Sequence, residues 1–208
     1  VEENKGGRMR DYRIMASFSE ISDALDEICD ECINKDESGN IVNLKFRNTE
    51  IDEEKQQVIK EEFEKYIEYF DLDKKGFEYF RQLLIEGEIY FEHIIHQGYT
   101  DDGILGAVLL PSDLIDPIYD NIQNMIIKGY ILRKPIFDPN KPEKIEKFDF
   151  IPMDENQVSY INSGIWNQDK TFRLPFIENA RRAYRQLSLV EDAIVIYRLV
   201  RAPERLVF

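Results

Sequence analysis

An unbroken apolar stripe near the end of the chain sets the strongest limit on its structure. Its members recur in steps of three or four residues, which places them along one side of an α-helix. They are Ile177, Ala180, Tyr184, Leu187, Val190, Ile194, Tyr197 and Val200. The stripe covers roughly 24 residues, or about 36 Å, and predicts a helix from about residue 176 to residue 201, ended by Pro203. Apolar stripes of this length rarely remain bare, so the helix requires a covering surface.

The first third of the chain is predicted to be helical. Ser17 and Glu20 have the spacing of a capping box, and apolar positions on one face follow them. These features predict a helix over residues 18–33. The same periodicity predicts a second helix over residues 51–70 and a third shortly after it. The third helix is indicated by Phe77, Phe80 and Leu84.

The middle of the chain has the pattern of β-structure. Val42, Leu44 and Phe46 alternate with polar residues and predict a half-buried strand. A strand beginning at residue 88, a turn over residues 99–103 and a strand over residues 104–110 form a predicted hairpin. Residues 138–142 are predicted to be a loop because their two prolines lack backbone donors. Further strands are predicted over residues 114–119, 129–133, 147–151 and 158–162.

These elements predict an α+β fold. It has a helical N-terminal part, a central antiparallel or mixed β region and a long C-terminal amphipathic helix.

Charge limits the function classes. The formal net charge is −14, which argues against a generic nucleic-acid-binding surface. Residues 171–208 carry seven arginines and four acidic residues, a net charge of +3, which leaves −17 for residues 1–170. This asymmetry favours contacts between copies or with partner proteins, although a solvated acidic surface explains the acidic part equally well. No stretch has the ~18 uninterrupted apolar residues of a membrane span, so a soluble protein of the host cytoplasm is expected.

Two pairs of potential metal ligands, Cys29 with Cys32 and His93 with His96, suggest a zinc site. About sixty residues separate the pairs, far more than in a compact zinc finger, and the two histidines project to opposite faces of the predicted strand. We therefore predict no metal site and no cofactor.

One acidic cluster with a histidine could support hydrolysis. Glu86, Glu88, Glu92 and His93 are close in sequence, but such clusters arise by chance in a chain with 41 acidic residues. No glycine-rich phosphate loop or nucleophile elbow occurs. We predict no catalytic residue and keep a metal-dependent hydrolase or nuclease as the alternative function.

The most specific motif lies near the end of the chain. It consists of Gln186, Leu187, Glu191, Asp192, Ala193, Tyr197, Arg198, Arg201, Ala202, Pro203, Glu204 and Arg205. This motif resembles the signature of portal vertex proteins of T-even-like bacteriophages, so the alternative hydrolase or nuclease would also be of phage origin. The similarity also extends to residues 9–16 and 23–28, whereas Leu206 departs from it because another basic residue is expected there.

The resemblance implies a non-enzymatic subunit of a ring, usually of twelve copies, at one vertex of the capsid. Viral double-stranded DNA would pass through the channel of the ring without sequence recognition. The implied organisation is a wing-like domain over residues 1–175, a stem-like helix over 176–202 and the start of a clip-like region over 203–208.

Implied partners are other copies of the chain, the major capsid protein, the scaffold, the terminase large subunit and the neck or head-completion proteins. The implied location is the virion, after assembly in the host cytoplasm. An adaptor module of host origin that presents the amphipathic helix is a third hypothesis.

Overall fold

The elements follow the predicted order of helices, strands and a final helix. A computed structural model describes residues 4–47, 51–96, 98, 103–120, 126–138 and 141–201. Two 3₁₀ turns, Glu155–Gln157 and Phe176–Ala180, accompany the longer elements. The helices are α1 (Lys5–Ala16), α2 (Ser19–Cys32), α3 (Glu53–Phe70), α4 (Leu72–Glu86) and α5 (Arg181–Arg201). The strands are β1 (Glu88–Ile95), β2 (Ile104–Leu110), β3 (Ile115–Tyr119), β4 (Ile127–Asp138), β5 (Lys141–Asp154) and β6 (Val158–Asn162).

The first helix, α1, was not predicted. Its first turn contains Gly6 and Gly7, which are poor helix formers, but the helix buries Met9, Tyr12 and Met15 in the core. Tertiary packing therefore stabilises a helix that local propensity does not favour.

The predicted capping box is wrong. The Ser17 hydroxyl donates to the carbonyl of Ile14 at the C-terminal end of α1, at 2.7 Å. Phe18 takes the N-cap position of α2 and makes no side-chain cap hydrogen bond. The predicted helix itself, over residues 18–33, is confirmed as α2.

The strand predicted at residues 42–46 is also wrong. These residues have no regular secondary structure, and Ile41 and Val42 instead line a groove against the helices. The backbone N–H of Ile41 donates to Asp73 Oδ1 at 3.0 Å, which ties the segment to α4. The apolar alternation is therefore not that of a paired strand, and of its three residues Val42 lines the groove.

The two predicted helices that follow are confirmed as α3 and α4. Asp71, between them, has a left-handed backbone with φ of 50° and is paired with Lys74 and Lys75. Gly87 ends α4 with φ of 78°, and a Cβ there would lie 2.8 Å from the backbone nitrogen of Pro175. Only glycine fits this close approach without strain.

The strands form two antiparallel three-stranded sheets. Sheet A has the order β2-β1-β6, and sheet B has the order β3-β4-β5. The predicted pairing of β1 with β2 is confirmed, whereas most of the predicted turn over residues 99–103 lies outside the described residues. β4 and β5 are longer than predicted because they pair along most of their length. The predicted loop at residues 138–142 is therefore wrong in part, since β4 extends to Asp138 and β5 begins at Lys141.

The first half of β1 lies between the helices and sheet B, so both of its faces are covered there. On one face, the ring of Phe91 contacts Phe70 and Tyr79, with ring centroids 5.1 and 4.9 Å apart. On the other face, Tyr90 stacks on Tyr160 and contacts Tyr130 of sheet B. A second core cluster, formed by α1, α2, α4 and Ile177, packs beside this arrangement.

The predicted C-terminal helix is confirmed, but it begins as the 3₁₀ turn Phe176–Ala180 before α5. The proposed terminator, Pro203, lies outside the described residues. None of the described helices is long and apolar enough to cross a membrane.

Candidate assembly surfaces

The base of α5 is anchored on α1 and α2. Tyr184 packs edge-on against Phe18, with ring centroids 5.4 Å apart. Arg181 and Arg185 reach Asp11 Oδ2 at 3.3 and 3.4 Å. Just before the helix, Ile177 is buried in the core cluster. These contacts fix the direction in which the rest of α5 leaves the domain.

The remainder of α5, residues 187–201 and here termed distal α5, exposes its apolar side chains. The predicted stripe is buried at Ile177, half-buried at Ala180 and Tyr184, and exposed from Leu187 onwards. A second apolar row, Leu189, Ala193 and Ile196, has the spacing of another helical face and meets the predicted stripe at Val200. Leu189, Ile196 and Val200 are 70%, 61% and 65% exposed. A helix that is apolar on more than one face is normally buried on more than one side.

The residues of the predicted signature are distributed along this helix and do not form a pocket. Gln186, Leu187, Glu191, Asp192, Ala193, Tyr197, Arg198 and Arg201 are all exposed on α5. The guanidinium of Arg201 lies 4.5 Å from the centroid of the Tyr197 ring. Ala202, Pro203, Glu204 and Arg205 lie outside the described residues. The described part of the signature is therefore an extended, exposed surface of α5.

An apolar groove lies between α3, α4, sheet A and the segment at residues 41–42, and sequence reasoning missed it. Its volume is about 520 Å³, and exposed side chains such as Val42 and Tyr66 open it to solvent. Helical periodicity identified its α3 side, but the groove depends on the spacing between segments that are distant in sequence. Its lining includes Phe63, Tyr66, Ile67, Phe70, Tyr79 and Phe80.

Acidic residues lie beside this groove on α3 and α4. Glu64 and Glu68 flank Ile67 on α3 and are exposed, whereas Asp71, between the two helices, and Asp73 on α4 are half-buried. A separate acidic hollow is lined by α2 and Asn34. The acidic side chains of that hollow are Asp23, Asp26, Glu27, Asp30 and Glu31.

The acidic cluster that suggested hydrolysis contributes to the fold at separate points. Buried Glu86 accepts from Arg13 Nε at 2.7 Å and from Gln82 Nε2 at 2.9 Å. His93 contacts the Asn156 carbonyl and the Ser159 hydroxyl, whereas half-buried Glu92 pairs with Val108 and Val158 in the sheet register.

Buried Glu88 belongs to a separate network. It accepts hydrogen bonds from the hydroxyls of Tyr90 and Tyr160. The ammonium of Lys5 lies 3.3 Å from Glu88 Oε1. Burial and the neighbouring Glu88 carboxylate raise the pKa of Tyr90 well above its usual range. This tyrosine therefore stays a hydrogen-bond donor at any physiological pH.

The cysteine pair does not act as a unit. Cys29 is buried and Cys32 is exposed. Burial raises the pKa of the Cys29 thiol, which keeps it protonated and unreactive. Within the part of the chain that the structure describes, no group of three or more His, Cys, Asp or Glu side chains is arranged to hold a metal.

Comparison with known proteins gives one family. The family model described as bacteriophage T4-like portal protein (Gp20) matches residues 6–208. The chain is 27% identical to the portal protein of Vibrio phage KVP40 over 96% of its own length and 41% of that protein. It is 24% identical to the portal protein of Salmonella phage ViI over 96% of its length and 39% of that relative.

The chain thus spans about two-fifths of the length of these two relatives. Because the family model covers almost every residue, including the described signature on α5, the chain belongs to the bacteriophage T4-like portal protein family.

Proposed function

We propose that the chain is part of a ring-forming structural subunit at one vertex of a phage capsid. The ring, usually of twelve copies in this family, provides the channel through which viral double-stranded DNA is packaged and ejected. The observation that carries the proposal is distal α5, whose apolar side chains are exposed on more than one face in a chain of the portal family. In a closed ring, each copy meets two neighbours through different surfaces, which would cover such a helix on several sides.

The proposed division is a wing-like domain over residues 1–175, a stem-like helix over 176–202 and the start of a clip-like region over 203–208. It is supported by the point at which α5 changes from packed to exposed, since Tyr184 contacts Phe18 and Leu187 is already 44% exposed. The base of the proposed stem therefore rests on the wing-like domain.

A structural rather than catalytic role fits the buried glutamates, because Glu86 is bound by Arg13 and Glu88 by Lys5. The acidic character of the chain also fits a conduit for DNA. A wall rich in lysine and arginine would hold the phosphate backbone, whereas an acidic wall lets it slide.

The proposed partners are other copies, the major capsid protein, the scaffold, the terminase large subunit and the neck or head-completion proteins. The proposed locations are the host cytoplasm during assembly and then the virion. The ring would be the docking platform for the terminase and the neck.

Electron microscopy of the full-length subunit tests the proposal. We expect closed rings, and we expect Ile194→Glu on α5 to abolish them because a buried carboxylate opposes the contact. Ile118→Glu, at an exposed position of sheet B, is the matched control and should leave rings intact. Residues 1–208 alone should give monomers or small oligomers in light scattering. Monodisperse monomers of the full-length protein would contradict the proposed function.

A further inference from the structure

We propose that Asp11 is a positioning residue that sets the direction of α5 and, through it, the closure of the ring. The inference rests on the ring-forming function proposed above and adds the residue that orients the proposed stem. Asp11 lies on α1, and its carboxylate is the point where two arginines of α5 meet that helix.

Ionic contacts span a gap between α1 and α5. A cavity of about 250 Å³ lies between the two helices, and exposed Ile14 lies at its rim. Protein interiors are normally close-packed, so a cavity of this size shows that the helices do not interlock along this stretch. Arg181 and Arg185 both line the cavity and reach the same atom, Asp11 Oδ2, at 3.3 and 3.4 Å. These ion pairs therefore help to set the distance between the helices.

The apolar contacts of α5 are confined to its base. Ile177 is buried just before the helix, and Tyr184 packs on Phe18. Within α5 itself, the half-buried residues are Arg181, Tyr184 and Ser188, and the others are exposed. A helix held by so small an apolar contact can pivot about it, and the ion pairs to α1 restrict this motion.

Arg185 is the outer of the two points at which α1 holds α5. Around the inner point, Tyr12 donates to Glu178 Oε2 at 2.6 Å, and Arg181 lies 3.7 Å from Glu178 Oε1. These contacts hold the turn that leads into the helix. Arg185 lies about one helical turn further along, so its pair with Asp11 controls the tilt of the helix.

The length of α5 magnifies any change at its base. The part beyond Arg185 is roughly 24 Å long at about 1.5 Å per residue, so a pivot of about 10° moves its far end by roughly 4 Å. In a closed ring, every contact between neighbours has the same angle, and angular errors add up around the ring. A change at Asp11 should therefore alter ring closure.

Distances between two spin labels test the inference on the chain of residues 1–208. One label is attached to exposed Cys32 on α2 and the other to Leu199→Cys on distal α5. Excess unlabelled chain removes distances between copies. We expect a narrow distance distribution, which Asp11→Asn should widen at least about twofold because α5 gains freedom to pivot. Asp11→Glu keeps the charge and should leave the distribution narrow.

Asp120→Asn is the matched control. Asp120 pairs with Lys128 of sheet B at 2.7 Å, and the side chains of Asp120 and Asp11 are both 47% exposed. Its loss removes an ion pair of similar exposure and should leave the width unchanged. A distribution in Asp11→Asn as narrow as in Asp120→Asn would overturn the inference. Should Asp11→Asn fail to fold, Arg185→Gln removes the outer pair from the α5 side and must widen the distribution.

Salt provides a second measurement on the same labelled chain. Sodium chloride at about 1 M should widen the distribution of the chain with Asp11 intact, because salt screens exposed charges. It should add little to the width already found in Asp11→Asn. Equal widening in both chains would show that salt acts elsewhere and would count against the role of Asp11.

Electron microscopy of the full-length subunit tests the effect on closure. Asp11→Asn should give rings of mixed copy number or open arcs, whereas Asp120→Asn should give uniform rings. Uniform rings in Asp11→Asn would overturn the inference and leave the proposed function standing. Absence of rings in the unsubstituted full-length protein would instead overturn the proposed function.

Discussion

Replacing Lys5 with methionine should destabilise the fold strongly, because Lys5 joins α1 to both sheets through buried contacts. Its ammonium lies 3.3 Å from Glu88 Oε1 and 3.6 Å from Asp116 Oδ1, and it donates to the carbonyl of Ile115 at 2.6 Å. The side chains of Lys5 and Glu88 are 11% and 6% exposed. The pair is therefore largely shielded from water.

The size of the effect follows from the carboxylate that remains. Removal of one partner of a buried ion pair costs about 3–5 kcal/mol. Glu88 keeps the hydroxyls of Tyr90 and Tyr160, so we expect the lower end, about 3 kcal/mol. In a domain of this size, that corresponds to a melting temperature lower by roughly 6–12 °C.

Urea denaturation and calorimetry measure the loss, and hydrogen exchange should show faster exchange in α1. Lys5→Met with Glu88→Gln should recover much of the lost stability because no buried charge is left unpaired. Lys128→Met is the matched control: Lys128 pairs with Asp120 at 2.7 Å, but both side chains are about half exposed, so its loss should cost under about 1 kcal/mol. If Lys5→Met were no more destabilising than Lys128→Met, the proposed role of the buried pair would be wrong.

Three further results are expected. Gly87→Ala should lower the free energy of unfolding by about 2 kcal/mol or more, because its Cβ would meet the Leu174–Pro175 backbone at a positive φ; an unchanged urea midpoint would refute this. Burial and a hydrogen bond to Glu178 raise the pKa of Tyr12. The stabilisation that this tyrosine gives the fold is therefore complete below the pKa of about 10 in the unfolded chain, and it declines as pH rises towards the pKa in the folded protein. Tyr12→Phe should therefore make stability less dependent on pH above about 10, as urea titrations at several pH values would reveal. Iodoacetamide should modify Cys32 and spare Cys29 in the native protein, and mass spectrometry showing equal labelling would contradict the buried position of Cys29.

Local periodicity was sufficient for most elements. The stripe from Ile177 to Val200 predicted the last helix, and the apolar runs predicted α2, α3, α4 and the hairpin of β1 with β2. Each of these signals lies within one segment, because a helix or strand that packs on one side repeats its apolar residues with the period of its own geometry. The family signature was likewise a local motif.

Other features depended on contacts between distant segments. α1 forms where Met9, Tyr12 and Met15 meet the core. The alternation at residues 42–46 pairs in no sheet, and Val42 lines the groove beside the helices. A local sequence pattern shows the periodicity of an apolar face, but it does not identify the segment that packs against that face.

For the same reason, the sequence shows the apolar residues of the second row of α5 but not that they are exposed. Their exposure follows from the direction in which the helix leaves the domain. The groove existed only once α3, α4 and β1 were assembled. Periodicity along the chain could thus specify the elements, and a local motif the family. The exposed apolar surfaces arose from tertiary packing, which brings together residues that no local pattern connects.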